Sequence, residues 1–168
     1  MRRLALLVTS AALLLGVAAQ PVAARQPGPT IVETALAVNA QTGEFDHLIR
    51  AVVKAGLVDT LNGNRQFTVF APTDAAFEDL FDALNVSGIA DIPVSTLTAV
   101  LLYHVAPGER FSGDVVSSTR IRTVSKGFVF PSLSGGSAYI NDARILAVDV
   151  NASNGVIHVI DSVLLPHG

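Results

Sequence analysis

The stretch NGVIHVIDSVLLP, residues 154–166, decides how this chain folds. Val156–Asp161 is dense in β-branched residues and reads as a strand. The segment just before it, NASNG (151–155), carries an Asn-Gly pair, which supplies the positive φ angles that a tight reversal needs. Ile145–Val150 and Val156–Asp161 are therefore expected to pair antiparallel. Two polar side chains interrupt this apolar run. His158 shares a strand face with Val156 and Ile160, and Asp161 lies on the other. Three residues along a strand separate them by roughly 10 Å, too far for a direct dyad. An imidazole on an apolar face must find hydrogen-bond partners or cost about 1–3 kcal/mol, so His158 reads as a satisfied core residue before it reads as a catalyst. Asp161, followed by Ser162, reads as a strand terminus that bonds local amides.

Working back from this block, further short strands are expected at Val115–Val116, Ile121–Val124, Phe128–Leu133 and Tyr139–Asn141, with SLSGGSA (132–138) as a flexible turn. Before residue 105 the pattern is mostly helical. Thr30 and Glu33 fit a capping box that opens a helix over Ile31–Ala40. Glu44–Ala55 places Phe45, Leu48, Ile49, Val52 and Val53 on one stripe, with Gly56 as its C-terminal cap. QFTVFA (66–71) reads as a strand that Pro72 and Thr73 stop, Thr73 capping a helix over Asp74–Leu84. A further helix runs over Ser95–Tyr103. Helices first and strands later predict an α+β domain.

The N-terminus has a different logic. Arg2 and Arg3 precede an apolar run from Leu4 to Val17 with small residues after it, the pattern of a secretory signal. The run is too short to span a bilayer, which takes about 20 apolar residues. Cleavage is expected after Ala24, with Ala19 the second position, and residues 25–29 form a flexible leader into a domain covering 30–168. Of 168 residues with 11 basic and 14 acidic side chains, removal of residues 1–24 leaves 144, with nine basic against 14 acidic, a net −5. One domain is the natural count. There is no cysteine, so packing and hydrogen bonds alone must hold an exported chain, and thiol catalysis is excluded. The tail LLPHG offers no apolar anchor, so no stable membrane insertion is expected after cleavage. Mild acidity with scattered cations argues against a nucleic-acid partner; the densest basic group, Arg120, Arg122 and Lys126, reads as the solvated face of a strand before it reads as an anion site.

Catalytic signatures are missing. The four histidines, 47, 104, 158 and 167, have no local ligand spacing, so no metal site is expected. Gly-x-Ser-x-Gly, a phosphate-cradling loop and a dinucleotide fingerprint are all absent. A dispersed Ser-His-Asp triad is defined by geometry, so spacing leaves it open.

Three segments together resemble a known family. FTVFAPTDAAF (67–77), LLYHVAPG (101–108) and NASNGVIHVIDSVLLP (151–166) are similar, in order and separation, to the first conserved block, the Tyr-His segment and the second conserved block of the fasciclin domain. The resemblance covers residues 30–166 and implies a β-sheet wedge flanked by several α-helices. It also implies an extracytoplasmic, secreted or periplasmic adhesion or protein-interaction module, without enzymatic activity or cofactor, whose partner is an extracellular or cell-surface protein or matrix component. In animal members an Asp-Ile pair and the Tyr-His segment are associated with adhesion. The matching positions here are Asp149-Val150 and Tyr103-His104, with Leu102 beside the latter, and these five are the expected binding residues. TVSKGF (123–128) departs from the family's Thr-Leu-x-Gly pattern. Some fasciclin-like proteins bind carotenoids, so the alternative expectation is a carrier for a small apolar ligand, which would require an open apolar groove.

Overall fold

The computed structural model describes residues 28–166. The expected signal peptide, residues 1–24, and the start of the leader lie outside the described residues. The domain is α+β, as expected.

Helix α1 (Ile31–Thr42) begins at the Thr30/Glu33 capping box and ends at Gly43 in the left-handed region. Helix α2 (Asp46–Lys54) lacks a side-chain cap of its own at Phe45. The carboxylate of Asp74 supplies one from outside, accepting the amides of Asp46 and His47 at 3.2 and 2.8 Å. A short α3 (Val58–Leu61) leads into strand β1 (Phe67–Pro72). Thr73 then caps α4 (Asp74–Leu84), accepting the Ala76 amide. A 3-10 turn (Ile89–Asp91) precedes α5 (Val94–Tyr103). The rest is β2 (Val105–Pro107), α6 (Ser112–Ser117), β3 (Ile121–Arg122), β4 (Phe128–Val129), β5 (Pro131–Ser134), β6 (Ser137–Ile140), β7 (Ala143–Ala152) and β8 (Gly155–Ile160).

The opening block forms the centre of a six-stranded sheet of order β2-β1-β8-β7-β6-β5, and β3 with β4 makes a separate ribbon. β7 and β8 pair antiparallel, as the Asn-Gly reversal predicts. β1 lies parallel to β8, Phe67 opposite Gly155 and Phe70 opposite His158. All six residues of each central strand are buried. Both faces are covered, which explains why these strands read as nearly continuous apolar runs. On one face Phe67, Val69, Ala71, Ile157 and Val159 pack against the helices with Phe45, Leu48, Phe77 and Leu97. On the other, Phe70 and Ile160 pack with Tyr103, Val115, Ile121, Val129, Ile140 and Leu164. Each large side chain so covered contributes about 1.5–3 kcal/mol.

Several local expectations need correction. Val115–Val116 is helical, within α6, because Ser112 is held by a carboxylate that starts the helix and Val115 is drawn fully into the second core. Tertiary contacts override the β preference of two valines. The Phe128–Leu133 strand splits into β4 and β5, which belong to different sheets. Of the Asn-Gly pair, only Gly155 has positive φ, at 154°. Its main constraint is steric, since a Cβ there would collide with the Phe67 carbonyl oxygen and lie 2.9 Å from Ile31. Asn154 is an anchor: its side chain accepts the Ile31 amide at 2.8 Å and donates to the carbonyls of Leu61 and Gly63 at 2.6 and 3.1 Å.

Candidate functional site

The Tyr-His segment closes α5, and both rings point inward, Tyr103 at 3% exposure and His104 at 2%. Tyr103 donates its hydroxyl to the Phe128 carbonyl at 2.7 Å, pinning the β3–β4 ribbon. Gly127 lies against the same ring, where a Cβ would come within 2.8 Å of Tyr103 Cε2. His104 bonds the Val100 carbonyl through Nδ1 at 2.8 Å and accepts the Leu164 amide on Nε2 at 2.8 Å. With Nε2 an acceptor, the ring is the neutral Nδ1–H tautomer. Burial lowers its pKa to about 4, outweighing the opposing effect of the Val100 bond. Leu102 is half-buried and packs against the first core.

Asp149 and Val150 lie where β7 bulges, between Ala147 and the next paired residue, Val150. Asp149 takes a left-handed conformation, φ 58°, which turns its amide out of the ladder and toward His158 Nδ1, 3.3 Å away. Its carboxylate accepts both the amide and the hydroxyl of Ser112, each at 2.6 Å. Partial burial raises its pKa, but the two Ser112 bonds and the neighbouring His158 more than compensate, so the net shift is downward. Val150 is half-buried against the first core.

His158 is fully buried and stacks on Phe70 with ring centroids 5.8 Å apart. Its Nε2 bonds the Arg110 carbonyl at 2.9 Å, and burial lowers its pKa against the raising effects of that bond and of Asp149. Thr68 completes the arrangement, donating to the Gly108 carbonyl at 2.8 Å and accepting the Arg110 amide at 2.9 Å. Three side chains, Thr68, Asp149 and His158, thus clasp the backbone of residues 108–112 over the sheet. Asp161 receives the Arg144 amide at 2.8 Å from the neighbouring strand, a partner distant in sequence.

Ser112, Asp149 and His158 form a serine, carboxylate and histidine cluster that no motif announced. Its wiring is not that of a triad. In a triad the histidine takes the serine proton and the carboxylate orients the histidine. Here the carboxylate binds the serine hydroxyl directly, and both imidazole nitrogens are occupied by backbone groups. Among the described residues no group of three or more His, Asp or Glu side chains could hold a metal ion. No helix among them is long and apolar enough to cross a membrane.

An apolar groove of about 210 Å³, the feature that carriage of a small apolar ligand would require, lies between α1 and α2. Ile31, Ala35 and Leu36 line one wall, Ile49 and Val53 the other, and Val69 and Ile157 the floor. Leu36 and Val53, at 47% and 61% exposure, form its rim. Residues distant in sequence meet there, which periodicity along one helix does not reveal.

Comparison with known proteins places this architecture. The family model for the fasciclin domain matches residues 43–166. The chain is 38% identical over 144 residues to protein sll1483 of Synechocystis sp., covering 86% of this chain and 77% of that protein. It is 36% identical over 117 residues to immunogenic protein MPB70 of Mycobacterium bovis, covering 67% of this chain and 56% of that one. Among solved structures, a FAS1 domain pair from the insect cell adhesion molecule Fasciclin I superposes with a TM-score of 0.67 at 21% identity. The match covers 83% of this chain and 51% of that one, so this chain corresponds to about half the length of the insect pair. With these matches, and with the two central blocks side by side in the sheet, the chain belongs to the fasciclin domain family.

Proposed function

We propose that this chain is a non-enzymatic recognition module of the adhesion type, exported to the periplasm or the medium, that acts through its surface on a cell-surface or matrix component. One observation carries the reading: the side chains that resemble reactive groups, His104, Asp149, Ser112 and His158, have their hydrogen-bonding capacity spent on the fold. Tyr103 and His104 then serve recognition from beneath, by holding the surface in place. Leu102, Asp149 and Val150 belong to the same half-buried frame. The test is attachment of the exported protein to envelope and matrix preparations, with pull-down of what it holds. Attachment without turnover of esters or glycosides supports the reading. Hydrolysis that disappears in His158→Ala would overturn it.

The groove favours a second reading, a carrier for a small apolar ligand. Its walls are almost wholly aliphatic, and a dry apolar void of about 150 Å³ is enough to hold a benzene-sized molecule. Purification from the natural host tests it: a co-purifying pigment or lipid supports carriage, and a colourless, lipid-free preparation counts against it.

A further inference from the structure

From the β3–β4 ribbon we infer a binding site for acidic polysaccharide, in which two arginines hold the carboxylates and two phenylalanines carry the sugar rings. The inference rests on the recognition reading above and names the partner's chemistry. In the ribbon Ile121 pairs with Val129 and Arg122 with Phe128. Directly opposed residues share a face, and successive residues alternate. Ile121 and Val129, at 1% and 0% exposure, face the second core, so Arg122 and Phe128 face outward. Arg120 and Phe130, two residues along, extend the same outer face, and all four are exposed. Two cations and two aromatic rings therefore lie side by side on a ribbon whose inner face is locked and whose backbone is pinned by Tyr103. The site is preorganised, which lowers the ordering cost of binding.

Charge separates in the same place. Val115–Asn141 contains Arg120, Arg122 and Lys126 and no carboxylate. The remaining described residues hold 14 carboxylates against five Lys or Arg, a net −9. This is the carboxylate-free run with the most cations among the described residues; the other such run with two, residues 47–58, has Lys54 engaged with the carbonyls of Ile89, Ala90 and Ile92. The chemistry selects further. The guanidinium of Arg120 lies 4.7 Å from the centroid of the Phe128 ring, which orients its planar fork, and such forks bind carboxylates bidentately. Phe130, 53% exposed, leaves a ring face open for the apolar C–H face of a pyranose. A uronic acid chain needs carboxylate contacts along one edge and a stacking surface beside them, and the ribbon has its two arginines on the β3 side and its two phenylalanines on the β4 side.

The experiment measures binding of the exported protein to polygalacturonate fragments, with neutral dextran, poly-L-glutamate and inorganic polyphosphate as comparisons. Expected are saturable binding to the polyuronate, little to dextran, and weaker binding to the other two polyanions. Arg120→Gln with Arg122→Gln should weaken it about tenfold or more, and Phe130→Ala about threefold at unchanged charge. Arg65→Gln with Arg144→Gln, an equal loss of charge elsewhere, should leave it within about twofold. Melting temperature is followed for each variant, and Phe130→Ala, a change at an exposed ring, covers the case in which the double arginine variant fails to fold. No binding to polyuronate overturns the inference, as do equal binding to poly-L-glutamate or polyphosphate and binding indifferent to the ribbon variants. If the ribbon variants still attach to envelope or matrix as the unaltered protein does, the recognition reading survives with another partner. If the unaltered protein attaches to nothing, that reading fails as well.

Discussion

The Nε2 of His104 accepts the backbone amide of Leu164 at 2.8 Å, a bond between residues 60 apart in the chain. It ties the end of α5 to the segment after β8, and it works only while the imidazole is neutral. Protonation would set an N–H against an N–H in a buried site.

Stability should therefore fall in mild acid. The folded pKa of His104, about 4, lies below the unfolded value of 6.5, so between these limits the unfolded chain binds more protons. The stabilisation is full above pH 6.5 and is lost as pH falls toward 4, by about 3 kcal/mol in total. His158, also shifted downward, adds in the same sense. Asp149, shifted downward, is stabilising above the ordinary carboxylate pKa, and its contribution is lost below it. Urea unfolding between pH 7.5 and 4.5 should show this decline, and His104→Gln, less stable at pH 7.5, should show a shallower one.

Asn154→Ala should destabilise the domain by about 3 kcal/mol, since it leaves the Ile31 amide and the Leu61 and Gly63 carbonyls with less than their full complement of bonds. Asn154→Asp should be no better, because its carboxylate would face two carbonyl oxygens. Thermal unfolding of both variants provides the check.

Gly127→Ala should lower stability by about 1–3 kcal/mol by pressing a methyl group against the buried Tyr103 ring. Tyr103→Phe keeps the ring but removes the bond to the Phe128 carbonyl, and should cost about 1 kcal/mol. Hydrogen exchange should show the loss concentrated in residues 121–129 in both cases.

Ala35→Phe should fill the groove between α1 and α2 while leaving both helices intact, because position 35 lies on its wall. Binding of a fluorescent polyene should fall at least about tenfold, with a change in stability below about 1.5 kcal/mol. Undiminished binding would place any apolar ligand elsewhere.

Asp149→Ala should release Ser112 and loosen residues 108–117. A loss of about 2 kcal/mol is expected, with faster amide exchange at Ser112 and through α6.

The α+β class, the helices expected at 31–40, 44–55, 74–84 and 95–103, and the β7–β8 hairpin were legible in the chain's local patterns, the helix ends shifting by one or two residues in the fold. Each of these is written in local terms: a capping box at Thr30, apolar stripes of helical period, a Thr73 cap, a dense β-branched run after a reversal. The sequence also marked His158 as a core residue, since an imidazole amid valines and isoleucines has to be satisfied where it lies. That Val115 joins a helix, that Asn154 anchors three segments, that Ser112 meets Asp149, and that an apolar groove opens beside α1 follow from contacts made once the chain is folded. Those outcomes depend on groups from different elements of the chain, such as the Asp149 carboxylate on the Ser112 amide, 37 positions away. Local propensity is worth tenths of a kcal/mol per residue, whereas a buried carboxylate bond or a filled core position is worth one or more, so the distant partner prevails.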